Sequence, residues 1–389
     1  MKKKIIALMF ALTMAITIIP VMTVSAASSI TLIIDGVTQK PAVDPVVEEG
    51  TTLVPLRVIS ETLGAEVSWN ASKQQATIQT AAYTVVFTIN SKTYTVNGAS
   101  KTLTAAPKIV NGSTMVPLRA FAEAIGAKVG YTASTNTATV DYFTTMTGDI
   151  KISGSTTVQP IAQAAADKLM KMNKNLSVTV SGGGSGTGIK DAQAGTVNIG
   201  MSSREFTADE ARTLYVCAVA NDAIALIVHP ENPVKNLTKD QAAKIFLGEI
   251  KNWKEVGGND APIIVTTRET GSGTLTTLID LLLGSGKSVV STATPYSSSA
   301  LIKQAVAKDK NAIGFDSIGF VDSTVKALSL DNRNATATTV MNKTYGMSRQ
   351  LFVCTKGRAN GVSAMFIDYL RSLDCQSNIV EKEGYVKLK

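Results

Sequence analysis

Histidine is almost missing from this chain: among 389 residues His229 is the single imidazole. No HExxH run and no CxxC pair occurs, so zinc and copper lack a ligand set and no metal or other cofactor is expected. A Ser-His-Asp triad would depend on His229 alone. That residue follows the strand-like run Ala223-Ile-Ala-Leu-Ile-Val228 without a G-x-S-x-G partner, and reads as a strand-end surface residue. Cysteine is scarce and odd in number: Cys217, Cys354 and Cys375 allow one bridge at most. Cys217 and Cys354 lie in apolar, strand-like runs and read as buried, inert thiols. Lys/Arg blocks and interleaved basic and aromatic residues are also lacking, which argues against nucleic acid as a partner.

What is present begins with a leader. Lys2, Lys3 and Lys4 precede an apolar run from Ile5, and Val24-Ser25-Ala26 supplies small residues before Ala27. Residues 1–26 therefore read as a secretion signal. The run from Ile5 to Val24 could just span a bilayer, but Pro20 and the small-residue end favour cleavage. No cysteine stands near that point, so a lipoprotein is not evident. The formal charge of +8 falls once the leader lysines leave, and the modest positive excess suits anionic ligands.

Residues 28–143 contain an internal repeat. Thr52-Leu-Val-Pro-Leu-Arg57 recurs 62 positions later as Thr114-Met-Val-Pro-Leu-Arg119. Each copy runs into a helical stretch ending in Leu63-Gly-Ala65 or Ile125-Gly-Ala127, then a strand-like Val67-Ser-Trp69 or Val129-Gly-Tyr131. Turns at Asp35-Gly36 and Asn97-Gly98 precede them. Two pseudo-symmetric α+β units sharing a core fit this period. The segment resembles the copper amine oxidase N-terminal (stalk) domain. The copper chemistry does not follow, since the segment holds no histidine. A structural or surface-association module is expected, with the cell wall as a candidate partner.

After a tract at 141–148 that reads as a short linker, the pattern becomes strand, polar Gly-rich loop, helix, repeated. Asp149–Ser153, Leu176–Val180, Val197–Met201 and Ile263–Thr267 read as strands. Each leads into a Ser/Thr/Gly loop: Gly154-Ser-Thr-Thr157, Gly182-Gly-Gly-Ser-Gly-Thr-Gly188, Ser202-Ser-Arg204 and Arg268-Glu-Thr-Gly-Ser-Gly-Thr274. In open α/β sheets, ligands bind at the carboxyl ends of strands. The last loop is the most telling. Arg268 offers a planar fork, and Ser272 and Thr274 add hydroxyls where a helix begins, so the run reads as a cradle for a tetrahedral oxyanion. Gly284-Ser-Gly-Lys-Ser288 mimics the end of a nucleotide-binding P-loop, but Leu281 stands where its first glycine is required.

From about 149 onward the chain resembles the phosphate-binding proteins of the phosphate ABC importer, the PstS family. The resemblance rests on those four loops, on Ile199-Gly-Met-Ser-Ser-Arg-Glu205 and on the run from Ile245 to Gly257. It implies a two-lobed α/β periplasmic-binding-protein fold (type II, Venus-flytrap) behind the two-repeat α+β stalk-like domain. Lobe one would comprise about 149–222 plus the C-terminal part up to 389, and lobe two about 228–325. It implies phosphate ligands at Thr156, Thr157, Ser185, Ser203, Arg268, Ser272, Gly273 and Thr274. Arg204, Glu205 and Asp222 are further candidates.

Some family members carry Asp at the position of Ser203, where it accepts the proton of the phosphate dianion. Ser203 accepts without charge, so rejection of sulfate is weaker or falls to another acid such as Glu205, Asp222 or Glu269. The expected protein is an exported, surface-associated, non-enzymatic receptor that delivers phosphate to an ABC permease and its ATPase. A receptor for sulfate or molybdate, and a phosphate sensor or adhesin uncoupled from import, remain as alternatives. A phosphatase is disfavoured because no metal ligands or activated nucleophile are present.

Overall fold

The structure is a computed structural model and describes residues 29–388. The leader expected over residues 1–26 lies outside the described residues. Among the described residues no helix is long and apolar enough to cross a membrane. The architecture is the expected α/β two-lobed one, with a strand-rich N-terminal module ahead of it.

In that module the repeat is visible element by element. Strand Thr51–Pro55 feeds helix Leu56–Thr62, and strand Ser113–Pro117 feeds helix Leu118–Ala124. The two strands pair antiparallel, Val54 opposite Val116, at the centre of a four-stranded sheet. Both helices end because Gly64 and Gly126 adopt left-handed backbone, φ +72° and +85°, which lets the following alanine amide bond back into the last turn. The shared Gly-Ala motif is thus a helix terminator. Gly64 has a second duty that Gly126 lacks: a Cβ there would lie 1.8 Å from the carbonyl oxygen of Asp368 in the C-terminal helix Gly361–Arg371.

The module is therefore docked rather than tethered. Residues 141–148, which read as a linker, are packed: Tyr142, Phe143 and Met146 are buried in a core continuous with Ile152, Leu169, Phe366 and Tyr369 of the first lobe. The linker reading fails because those three apolar side chains alternate with Thr and Gly, so composition conceals their burial. Asp368 accepts from the amide of Ala81 (2.7 Å) and the hydroxyl of Tyr142 (2.9 Å), while Arg358 donates to the carbonyl of Ala81 and the hydroxyl of Thr84.

The binding region is built on one sheet that runs through both lobes. Its strands lie in the order Leu176–Gly183, Gly148–Gly154, Ile199–Ser202, Ser348–Lys356, Leu214–Val228, Ala312–Ser317, Ile264–Arg268, Thr294–Tyr296. The 15-residue strand Leu214–Val228 makes the crossing. Its first part pairs with Ser348–Lys356 in lobe one, and its last five residues pair with Ala312–Ser317 in lobe two. The second core accordingly begins at Ala223 and gathers Phe246, Trp253, Phe315 and Met347. Cys217, Cys354 and Cys375 are buried free thiols, and burial pushes the pKa of each upward.

Candidate functional site

All four Ser/Thr/Gly loops emerge at the carboxyl ends of their strands and converge where the lobes meet. Lobe one contributes Thr156 and Thr157 ahead of helix Gln159–Met172, Ser185 as the first residue of helix Ser185–Ala194, and Ser203 after strand Ile199–Ser202. Lobe two contributes Arg268 at the end of its strand and Ser272, Gly273 and Thr274 at the start of the helical stretch that runs to Leu283. Ser272 caps that stretch by accepting from the Leu275 amide.

The lobes touch through these residues. Thr157 and Thr274 hydroxyls lie 3.0 Å apart, and the Gly186 amide donates to the Gly271 carbonyl across 3.0 Å. Ser185 accepts from the Ser203 amide (3.0 Å), and the two hydroxyls face each other at 3.3 Å. Gly273 packs directly onto this pair. A Cβ on it would come within 2.2 Å of Ser185 Oγ and 2.8 Å of Ser203 Oγ. Only glycine lets the lobes approach this far.

Arg268 sits in the middle and is 3% exposed. Its Nη2 donates to Thr156 Oγ1 (3.0 Å) and the Ser297 carbonyl, Nη1 to Ser299 Oγ (3.1 Å), and Nε to the Tyr296 carbonyl. Every acceptor is neutral. Among the described residues no carboxylate forms an ion pair with it, and burial lowers its pKa. A desolvated cation held only by neutral acceptors is a site for an anion.

Beneath the cluster lies a second guanidinium that sequence reasoning missed. Arg349 is directly opposite Asp222 on the two crossing strands. Its Nε donates to Asp222 Oδ2 (2.9 Å), and its Nη1 reaches both the Ser203 carbonyl (3.0 Å) and Thr274 Oγ1 (3.1 Å). Asp222 also accepts from Ser317. It is therefore a buried counter-ion under the site. Ser299, the first residue of helix Ser299–Lys308, was missed as well; it touches Arg268 and lies 3.5 Å from the Thr157 hydroxyl. A Ser-Ser-Ser run ahead of Ala300-Leu-Ile302 was the available signal.

The other candidates stand apart. Arg204 is held by both oxygens of Glu210 at 2.8 Å, so its fork is already occupied. Glu205 and Glu269 are exposed. A cavity of about 580 Å³ lies in the N-terminal module between Glu49, Arg119 and Tyr131. It shares no lining residue with this cluster.

Residues 132–372 match the PBP superfamily domain, and residues 33–140 match the copper amine oxidase N-terminal domain. The chain is 37% identical over 243 residues to the phosphate-binding protein PstS of Bacillus subtilis, covering 61% of this chain and 80% of that one. It is 31% identical to the PstS of Borreliella burgdorferi, covering 62% and 90%. A solved Clostridium perfringens structure with bound phosphate, assigned as a phosphate ABC transporter substrate-binding protein, is 38% identical with a TM-score of 0.60, covering 62% and 100%. An ABC-type phosphate transport receptor from Vibrio cholerae is 37% identical with a TM-score of 0.53, covering 61% and 99%.

Proposed function

Because the chain belongs to the PBP superfamily and, within it, to the phosphate-binding PstS proteins, we propose that it captures inorganic phosphate outside the cytoplasm and delivers it to an ABC permease and its ATPase. The observation that carries the reading is Arg268: a buried guanidinium without a carboxylate partner, ringed by hydroxyls from both lobes. Thr156, Thr157, Ser185 and Ser203 would hold the anion from lobe one. Arg268, Ser272, Gly273 and Thr274 would hold it from lobe two. Since only the closed form brings both sets together, binding shifts a hinge equilibrium carried by the two crossing strands. The family consists of binding proteins, and no catalytic step is assigned to the site.

The N-terminal module would hold the receptor at the cell surface. Trp69 and Tyr131, at equivalent positions of the two repeats, are 45% and 51% exposed and give the module apolar contact points toward the wall. Cell fractionation with and without residues 28–143 tests this, and equal release of both forms would sink it.

The decisive test of the phosphate reading is calorimetric titration of protein stripped of bound ligand with phosphate, sulfate and molybdate. Absence of phosphate heat overturns it. Strong competition by sulfate would identify the neutral Ser203 as the point of weak discrimination, and Ser203→Asp should then restore rejection.

A further inference from the structure

Asp316 is a buried carboxylate that the ligand set above does not use. It is 1% exposed and stands near the end of strand Ala312–Ser317. That strand runs parallel to Ile264–Arg268 with Ile264 opposite Ala312, so Arg268 and Asp316 each lie four residues beyond the same matched pair. One carboxylate oxygen accepts from the Ser317 amide at 2.8 Å, and the other, Oδ2, has no hydrogen-bond partner. The Ser299 hydroxyl faces this carboxylate on one side and accepts from Arg268 Nη1 on the other.

The charged and titratable groups around Asp316 come from four directions. Arg268 lies on the neighbouring strand, Arg349 on the returning crossing strand, Asp222 on the outgoing one, and the phenol of Tyr385 on the C-terminal tail. Two buried guanidiniums thus face two buried carboxylates. A dianion entering this balanced set adds charge that the low-dielectric surroundings resist. Asp222 is already engaged on both oxygens, by the Arg349 guanidinium at Oδ2 and by the Ser317 hydroxyl at Oδ1. Asp316 has no ion pair among the described residues and an open oxygen, so it is the group that can give way.

We propose that Asp316 binds a proton at Oδ2 when the anion binds and releases it when the site empties, making it the positioning residue that sets which anion charge the cleft accepts. The inference rests on the phosphate reading. One O–H bond forms for each anion taken in, and its proton comes from solvent. Burial already lifts the Asp316 carboxyl to about 6, against the lowering effects of Ser299, the Ser317 amide and the two arginines. A bound dianion pushes it in the same direction.

Calorimetry in buffers of different ionisation enthalpy, near pH 7.5, counts the protons. Wild type should take up about one proton per phosphate, with the ³¹P shift of the bound ligand reading as a dianion. Sulfate, which stays a dianion throughout, should show the same uptake and lose affinity as pH rises, approaching about tenfold per unit. Asp316→Asn should abolish the uptake and flatten the sulfate profile. Zero protons in wild type, a bound phosphate that itself carries the proton, or unchanged uptake in the variant overturns the proposal. If the variant fails to fold, the wild-type proton count and ³¹P shift decide alone. Phosphate failing while sulfate binds with one proton removes only the phosphate reading, and failure of both anions removes both.

Discussion

Asp222 and Arg349 are cross-strand partners at the point where the chain passes from one lobe to the other, and the same Arg349 guanidinium bonds to Ser203 in lobe one and Thr274 in lobe two. The hinge and the anion site are therefore joined by one side chain.

Arg349→Met should destabilise the protein by about 3–5 kcal/mol, because it leaves Asp222 buried without its counter-ion. Combining it with Asp222→Asn should recover at least half of that loss, since the two side chains act as one unit. Urea unfolding of the two single variants and the double variant measures the coupling. Simple additivity would show that the pair is not the hinge element described.

Arg268→Ala removes a buried cation that forms no ion pair with a carboxylate among the described residues. Phosphate affinity should fall at least about 100-fold, as for loss of a buried charge-assisted contact. Thermal stability of the phosphate-free protein should hardly fall, because the desolvation penalty of a buried guanidinium goes with it. Titration calorimetry beside a melting curve checks both. A large stability loss with intact binding would make Arg268 structural.

Gly273→Ala tests closure itself. The added methyl meets Ser185 Oγ and Ser203 Oγ only when the lobes are together, so the open form is untouched. The variant should fold with wild-type stability yet bind phosphate at least about tenfold more weakly, a loss of about 1.4 kcal/mol. Small-angle scattering with and without phosphate should lose the compaction seen in wild type.

Much of the site was legible because its chemistry is local. Hydroxyl- and glycine-rich runs placed after strands mark Thr156, Ser185, Ser203 and Arg268 without knowledge of the fold. Arg349 and Asp316 were not legible. Each takes its meaning from a strand partner far along the chain, Asp222 for one and the end of the Arg268 strand for the other. The repeat was readable from its 62-residue offset, but its docking was not. Gly64 and Gly126 look alike in sequence, and only the fold shows that one of them abuts Asp368.

That docking makes the joint between module and lobe sensitive to pH. Burial raises the Asp368 carboxyl to about 7, while the Ala81 amide, the Tyr142 hydroxyl, Arg371 and Arg358 oppose the rise. A carboxyl that holds its proton more tightly folded than unfolded contributes stability in full below the ordinary carboxyl range. That contribution is lost as pH climbs through the folded value. In phosphate-free buffer the unfolding free energy from urea titration should therefore decline from about pH 5 to about pH 8, by on the order of 4 kcal/mol at most. Asp316, lifted to about 6 in the same direction, supplies the earlier part of the decline. Asp368→Asn should remove the later part. Tyr142→Phe deletes a bond to the ionised form, which the structure puts at 2.9 Å, so it should move the later part to higher pH. A free energy that instead rises with pH would mean that Asp368 is ionised in the fold and that Arg371 and Arg358 outweigh its burial.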